Sequence, residues 1–389
     1  MFKNILLSTL LCSFLGAQNF ETFLKNAIQN SPYLKANQLG IAQANENAKL
    51  ITRYKNPTLA LEASNFSPDI GDSEAGYRVA LTQPIRLWGV SDAREDLATA
   101  QKSEAQSLVK LSRADFVRKL SLLYSKYKST LSAESLAKEE LLISKKITNI
   151  TKARFENGTI AKVKYIQAKV DEKRVENFLN KMQVNTLSSY YRLIGFAGFT
   201  TEIELDDKYL FKLSKQGSTS NSAQLIYSKS KIKSSLALAE LHSNRVEWID
   251  LYGEFESEPD QSIARVGVDI PLAIFNTKSQ ERTIAKLQAK KSELISENIN
   301  TTLSMKLKEL SRSIESLSGL QLSTSELYKS QKELLLMYED AYKIASIDLI
   351  ELQVIKNQMI RTKEDAIEIE LSKEQNIIQH NFLTGEYNE

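Results

Sequence analysis

The sequence has 389 residues, with 51 basic and 48 acidic side chains and a formal net charge of +3 at pH 7. Because basic and acidic residues are mixed throughout, the charge pattern excludes the dense basic surface of a nucleic-acid-binding protein. Only 6 prolines and 13 glycines interrupt long tracts of Leu, Lys, Glu, Ser and Ala. This composition is typical of extended helices rather than of two or three compact globules.

The N-terminal segment 1–17 has the pattern of a secretory signal peptide. Lys3 precedes an apolar run from Ile5 to Leu15, and the small residues Gly16 and Ala17 follow. We predict cleavage after Ala17. The single cysteine, Cys12, lies inside the apolar run and lacks the small preceding residues of a lipidation site, so it is interpreted as an apolar residue that is removed. A chain without cysteine must derive its stability from packing or assembly.

The first half of the chain changes from helical to strand periodicity and back. Apolar spacing predicts a short helix from Phe20 to Asn30 and a second helix from about Pro32 to Lys55. In residues 58–83, apolar and polar side chains alternate on both sides of a polar turn, which predicts a β-hairpin. Residues 90–194 then predict a helical hairpin whose first arm, roughly 65 residues without Pro or Gly, is near 100 Å long.

The same order of elements occurs a second time. After a Ser- and Gly-rich segment, residues 221–225 match residues 30–34 at an offset of 191. A second β-hairpin at about 246–270 and a second helical hairpin at about 277–383 follow. We therefore divide the chain into two structural repeats, 18–220 and 221–389.

Each predicted β-hairpin has one apolar and one polar face. The polar face carries Glu62, Arg78, Asp250, Glu254, Glu256, Arg265 and Asp269. Four such strands cannot close a barrel, and in a membrane strands persist only in a closed barrel. Several chains would then share one barrel, continued by a helical tube. The alternative is a soluble two-sheet domain with a solvated face.

Two prolines mark the predicted joints between strand and helix. Pro84 and Pro271 lie at an offset of 187 (271 − 84), and each follows an alternating run and precedes an apolar patch. Proline cannot donate to a sheet ladder, so both are expected where strand pairing ends. Trp88 and Trp248 lie near these joints and fit either an interfacial aromatic belt or ordinary packing.

The motifs around these joints resemble those of the TolC family of outer-membrane efflux ducts. They are Asn56-Pro57-Thr58-Leu59, Gln83-Pro84-Ile85 through Gly89, and Ile270-Pro271-Leu272 through Asn276. The resemblance covers nearly the whole chain after the signal. It implies a mainly α fold with a membrane β-barrel portion: a homotrimer with a twelve-stranded barrel, four strands from each chain, and a long α-helical barrel in the periplasm of a Gram-negative bacterium.

The resemblance also implies partners and the residues that meet them. A periplasmic adaptor (membrane fusion protein) and an inner-membrane pump, of the RND type, would dock with the duct. In this family the adaptor touches the tips of the helical hairpins. These tips correspond here to Arg154, Phe155, Gly158, Thr159 and Ile160, and to Tyr342, Ala345, Ser346 and Ile347. Ala345 stands where the family usually has glycine.

Acidic residues just after the second tip close the periplasmic mouth in many relatives. Asp348 and Glu351 occupy that place and, three positions apart, are expected to share one helix face. Three copies would ring the pore and attract cations. The alternative is a pair of solvated carboxylates on a helix surface.

No catalytic motif, metal-ligand spacing or phosphate-binding loop is evident, so neither an enzyme nor a cofactor is expected. The leading interpretation is a passive exit duct through which an inner-membrane pump expels its substrates. The modest length and short hairpin loops favour the heavy-metal-cation branch of the family. Two alternatives stay open: a multidrug or type I secretion duct of the same fold, and a secreted structural coiled coil without channel activity.

Overall fold

The computed structural model describes residues 18–67, 69–215 and 218–388. The predicted signal over residues 1–17, its cleavage point and Cys12 lie outside the described residues. The described chain is mainly helical and contains one small antiparallel sheet. This architecture confirms the mainly α fold with a small strand portion that the resemblance implies.

The helices are α1 (Phe20–Asn30), α2 (Pro32–Thr52), α3 (Val90–Glu156), α4 (Lys162–Ala197), α5 (Ala223–Leu241), α6 (Ser279–Lys343) and α7 (Leu349–Thr384). The strands are β1 (Thr58–Phe66), β2 (Glu74–Arg86), β3 (Trp248–Ser257) and β4 (Ser262–Asp269). At 1.5 Å per residue, α3 with 67 residues and α6 with 65 are each about 100 Å long. In the described part of the chain, no helix is both long and apolar enough to cross a bilayer.

The four strands form one sheet in the order β1-β2-β3-β4, with every neighbouring pair antiparallel. The first two strands come from the first repeat and the last two from the second, so the sheet joins the repeats side by side. β1 and β4 are its edges, and each leaves a row of backbone groups without a partner strand among the described residues.

The helices repeat in the same order. Ser31 and Ser222 are the N-cap residues of α2 and α5, and they lie at the offset of 191 (222 − 31) found in the sequence. The long pair α3–α4 corresponds to the long pair α6–α7, and the two helices of each pair pack against each other. α5 packs against both α3 and α6, whereas α2 packs against α3.

The apolar spacing of the long helices becomes buried seams. Leu303, Leu307, Leu310 and Ile314 are buried along α6, as their steps of four, three and four positions predict. A second apolar cluster surrounds Phe20, whose ring lies 4.4 Å from that of Tyr124 on α3. Burial of each large side chain contributes about 1.5–3 kcal/mol, which anchors the short helix α1 to the long helices.

The predicted end of the first hairpin is wrong by a few residues. β2 continues through Pro84 to Arg86, and Pro84 faces Asp250 of β3. Pairing with β1 ends at Thr82, so Pro84 has a strand on one side only, where a residue without an N–H is tolerated. Pro271, by contrast, follows the end of β4 at Asp269.

Candidate functional site: the polar sheet face and the helical tips

The strand register places the predicted charged residues on one face of the sheet. Glu62 lies opposite Arg78, Arg78 opposite Glu256, and Glu254 opposite Arg265. Directly opposed residues of an antiparallel sheet project to the same side. The alternation seen in the sequence therefore produces a polar face that crosses both repeats.

On this polar face the charges form a continuous ladder from one sheet edge to the other. Arg78 donates to Glu62 at 3.0 and 3.1 Å and to Glu254, and Arg265 donates to Glu254 and, at 2.6 Å, to Glu256. Each pair of neighbouring strands is thus linked by opposite charges, which favours this register. Asp250 and Asp269 face each other beyond the ladder, so like charges oppose near the helical end of the sheet.

The opposite face of the sheet is apolar and exposed along all four strands. Its exposed members include Leu59, Leu61, Tyr77, Val79, Leu81, Leu251, Phe255, Val266 and Val268. A contiguous exposed apolar surface that extends over four strands marks contact with a membrane or a partner. The two faces together match the requirement of a strand set with lipid on one side and water on the other.

The two tryptophans near the joints behave differently. The guanidinium of Arg86 lies 4.9 Å from the ring centre of Trp248 and 4.3 Å from that of Tyr54. Arg86 also donates to the backbone oxygens at the end of α2. Trp248 is therefore packed in the joint, whereas Trp88 is almost fully exposed, as expected of a residue in an interfacial belt.

At the other end of the molecule, the two helical hairpins end in the same turn. In the first tip, Thr159 N–H donates to Arg154 O and Gly158 N–H to Phe155 O. In the second tip, at the same offset of 187 as the prolines, equivalent bonds form from Ser346 and Ala345. This is the Schellman arrangement, which needs a left-handed residue after the helix.

Ala345 adopts that left-handed conformation, with φ at +68°, against +72° for Gly158. The replacement of glycine by alanine therefore leaves the turn unchanged and stores strain of about 1 kcal/mol at the second tip.

Two of the predicted tip residues hold the tips together. Arg154 donates to Tyr342 O at 2.9 Å and lies over the Tyr342 ring at 4.6 Å. The Tyr342 side chain is buried, and its hydroxyl lies 3.1 Å from that of Thr151. Tyr342 therefore offers no surface to a partner, because its contacts are all inside the chain.

The exposed surface of the tips consists of other residues. Phe155 stacks on Tyr165, and Ile160 and Ile347 are half-buried, while Gly158, Thr159, Ala345 and Ser346 are exposed. Three exposed apolar side chains close to the tips in sequence were not predicted as tip residues: Ile344, Val163 and Ile350. The position of Ile344, directly after α6 ends at Lys343, was a usable signal, because a large exposed apolar side chain marks a contact surface.

The candidate gate residues have different surroundings. Asp348 caps α7 by accepting from Leu349 N–H at 2.7 Å, and it accepts from Lys164 Nζ of α4 at 2.7 Å. The Lys164 hydrogen bond holds the pKa of Asp348 below its ordinary value. Glu351 is exposed in the first turn of α7. Asp348 is the N-cap of α7 and Glu351 its third residue, so the expectation that the two share one face stays a prediction.

Buried ion pairs link the two repeats above the tips. Lys356 of α7 is completely buried and donates to Asp171 of α4 at 2.7 Å and to Ser144 of α3 at 3.1 Å. Lys128 of α3 pairs in the same way with Glu374 of α7. A buried charge is strongly destabilising when it lies away from its partner. These pairs therefore fix the axial position of α7 relative to the first repeat. Within the described residues, no group of three or more His, Cys, Asp or Glu side chains is placed to hold a metal ion.

Comparison with known proteins shows what the chain is similar to. Residues 23–198 match the sequence model of the outer membrane efflux protein family. The chain is 20% identical over 186 residues to the nickel-cobalt-cadmium resistance protein NccC of Alcaligenes xylosoxydans xylosoxydans. That match covers 47% of this chain and 43% of the relative, so it spans less than half of either protein.

Solved structures show the same fold over almost the whole chain. The outer-membrane channel OprN superimposes with a TM-score of 0.82 at 12% identity, covering 95% of this chain and 90% of that one. The outer membrane protein VceC of Vibrio cholerae gives a TM-score of 0.79 at 13% identity, covering 94% of this chain and 95% of that one.

The family's sequence pattern is found in the first repeat, and the fold of outer-membrane channels extends over almost the whole chain. Members of the family are channels and not enzymes. Residues 23–198 thus match the outer membrane efflux protein family, and almost the whole chain has the fold of outer-membrane channels, which agrees with the predicted place in the outer membrane of a Gram-negative bacterium.

Proposed function

We propose that the chain forms, as a homotrimer, the exit duct of a tripartite efflux system. Three copies would close a twelve-stranded barrel with the charged ladder facing the water-filled lumen. An inner-membrane pump of the RND type would supply the energy, and a periplasmic adaptor would connect pump and duct. The observation that carries this proposal is the two-faced, four-stranded sheet with open edges, which is incomplete as a single copy.

We propose divalent metal cations as the cargo. Two features support this: the similarity to a protein named for nickel, cobalt and cadmium resistance, and the charge of the hairpin turns. Asp72, Glu74, Glu258 and Asp260 line a cleft of about 440 Å³ between the two turns. None of the described turn residues, 67, 69–73 and 258–261, is basic. Negative charge at a pore mouth raises the local concentration of cations.

Gene deletion tests the cargo directly. The deletion strain should become sensitive to zinc, cadmium, nickel or copper while its tolerance of dyes and detergents stays unchanged. Complementation with the intact gene should restore metal tolerance. Sensitivity to dyes alone would remove the metal proposal and favour the multidrug duct of the same fold.

The exposed tip residues are the proposed adaptor contact. Ile344 and Thr159 are suitable test positions, because both are exposed and neither carries the link between the tips. Replacing Ile344 with Asp should weaken cross-linking to the adaptor and make the cells sensitive to metal without loss of the trimer. Replacing the exposed Leu322, about two thirds of the way along α6, with Asp is the matched control and should leave adaptor binding unchanged.

The acidic gate is proposed for the mouth formed by the α7 N-termini. Glu351→Gln removes only an exposed charge, whereas Asp348→Asn also weakens the helix cap and the link to Lys164. In single-channel recordings, both variants should lower the preference for cations, and Asp348→Asn should in addition increase the open fraction. Glu309→Gln, at an exposed carboxylate of α6, is the control. Unchanged selectivity in both variants would overturn the gate.

A secreted coiled coil without channel activity is the competing class. It predicts a protein that stays in aqueous solution without detergent. The exposed apolar sheet face opposes this, and conductance of the purified protein in planar bilayers decides between the two.

A further inference from the structure

A cleft between the end of α2 and the start of β3 is lined by basic and aromatic side chains. Its volume is about 360 Å³, and its charged and aromatic walls are Arg53, Lys55, Arg94, Tyr54 and Trp248. Among the described residues that line this joint cleft, none is acidic. Three cations around one small cleft repel one another and attract anions, so a bound anion stabilises the arrangement.

Acidic side chains nearby compensate little of this positive charge. Arg94 pairs with Glu247, but the same carboxylate is shared with Lys278. Other cations at the joint have no carboxylate partner in the described part of the chain: Arg53, Lys55 and Arg86. The joint therefore carries more positive charge than its own carboxylate neutralises.

Arg86 adds a buried donor beside the cleft. It is 9% exposed, and its guanidinium contacts the rings of Tyr54 and Trp248, the aromatic walls of the joint cleft. Its Nη2 donates to the backbone oxygens of Thr52 and Arg53, whereas its Nε is buried and has no acceptor among the described residues. A buried donor without an acceptor costs free energy, which an acceptor atom from a ligand recovers.

The architecture of the joint does not by itself require these cations. The offsets of 191 and 187 give the equivalent positions in the second repeat. At the equivalents of Arg53, Lys55, Arg86 and Arg94, the second repeat has Asn244, Val246, Ala273 and Glu281. The end of α5 is capped by backbone N–H groups and by the Asn244 amide. The same joint is thus built once without a basic side chain, so the basic cleft has another role.

The strand register shows on which side of the sheet the cleft opens. Arg86 lies opposite Trp248. Arg86 is eight positions from Arg78 (86 − 78), and Trp248 is six positions from Glu254 (254 − 248). Side chains an even number of positions apart on a strand share one face. Both residues therefore project to the side of the charged ladder and away from the apolar face, so the cleft is open to a soluble ligand.

The donors of the cleft fit an oxyanion. A guanidinium group donates parallel N–H bonds to carboxylate or phosphate oxygens, and a lysine adds a point charge. The side chain of Asn56 lines the same cleft. Tyr54 and Trp248 meet edge to face, with ring centres 6.1 Å apart, and form an apolar wall behind the charges. Several donors at one wall favour an anion that carries more than one charge.

We infer that the joint cleft binds a small soluble oxyanion, a carboxylate or phosphate with two or more negative charges, through Arg53, Lys55 and Arg94. The site lies within one chain and does not depend on the homotrimer. In the proposed duct it lies on the lumen side, where the strands become helices. A bound oxyanion there cancels positive charge that an expelled cation would otherwise meet.

Fluorescence titration of the full chain tests the site. With Trp88→Phe, Trp248 is the only tryptophan, and its ring centre lies 5.1 Å from Lys55 Nζ. Inorganic pyrophosphate, added to the purified protein in detergent at constant ionic strength, should change the Trp248 emission in a saturable way. Arg53→Gln with Lys55→Gln should raise the Kd at least about tenfold, because two charged donors are lost.

The two substitutions have a matched control. Arg53 and Lys55 are exposed and lie between α2 and β1, so their replacement leaves the fold intact. Lys308→Gln with Arg312→Gln removes the same two charges from exposed positions far along α6 and should leave the Kd unchanged. An equal rise of the Kd in both double variants would show attraction by net charge alone and would overturn the site.

The remaining outcomes separate the ligand sources and the proposed function. No saturable change, or an unchanged Kd in Arg53→Gln with Lys55→Gln, overturns the inference and leaves the duct standing. Quenching of Trp248 by brominated phosphatidylglycerol would assign the cleft to a lipid headgroup and overturn the soluble ligand, whereas unquenched emission supports it. A chain that binds pyrophosphate but conducts no ions in planar bilayers overturns the duct and leaves the site standing.

Discussion

The buried lysine on α7 gives the sharpest test of what holds the two repeats in register. Lys356 is completely buried, and its ammonium contacts Asp171 at 2.7 Å, Ser144 at 3.1 Å and Glu140 at 3.5 Å. Asp171→Asn keeps the shape and one acceptor oxygen but removes the charge. Removal of one partner of a buried ion pair costs about 3–5 kcal/mol, and the lower end applies because Glu140 remains.

That cost converts into a measurable shift of the thermal midpoint. With an unfolding entropy of about 2.1 cal/mol/K per residue, a chain of 389 residues has about 0.8 kcal/mol/K, so ~3 kcal/mol lowers Tm by about 4 °C. Circular dichroism of the purified protein in detergent, at one heating rate for all variants, measures the shift. Glu176→Gln, in an exposed pair with Lys173 on the same helix, should leave Tm unchanged.

The pH dependence gives a second check on the same contact. Burial by itself would raise the pKa of Asp171, but the hydrogen bond and charge of Lys356, with the charge of Arg174, hold this pKa below its ordinary value of 3.8. A lowered pKa contributes stability that is complete above the ordinary value and is lost as the pH falls through the folded-state value. The Tm difference from Asp171→Asn should therefore persist at pH 5 and above and shrink below about pH 4. Equal Tm values at pH 7 would refute the reasoning.

Three further outcomes are expected. Ala345→Gly should slow hydrogen exchange of the Ser346 amide about fivefold, because glycine relieves roughly 1 kcal/mol of left-handed strain in the tip; an unchanged rate would contradict this. Brominated lipids should quench the fluorescence of Trp88 but not of Trp248, compared in the two single-tryptophan variants, and equal quenching would remove the proposed belt. Glu254→Gln should shift the reversal potential toward anions, since it leaves two arginines of the ladder without their shared carboxylate.

Local features of the fold followed from the sequence because their causes are local. Alternation with a period of two fixed which side of the sheet receives Glu62, Arg78 and Glu254, and the strand register agrees with it. The long stretch without Pro or Gly before Gly158 predicted the α3 helix within a few residues. The end of β2 was less predictable, because proline is excluded from a strand only where neighbouring strands pair on both sides. Pro84 pairs on one side only, and the sequence does not show this.

At the tips, the sequence predicted where the turns lie but not which side chains face outward. Tyr342 and Arg154 had the expected positions, yet the burial of Tyr342 depends on a contact between α3 and α6 that joins residues 188 apart. The pairing of Asp348 with Lys164 spans a similar separation of 184 residues. No periodicity along one segment contains such information.

The sequence by itself determined the order of elements, the internal repeat and the two faces of each hairpin, since each depends on residues within a few positions of one another. Tertiary structure alone decided that the two hairpins share one sheet, that Lys356 is buried among partners from α3 and α4, and that α5 is covered on both flanks while α2 is covered on one. These facts depend on how segments about half a chain apart pack together, because burial and pairing are properties of both partners at once.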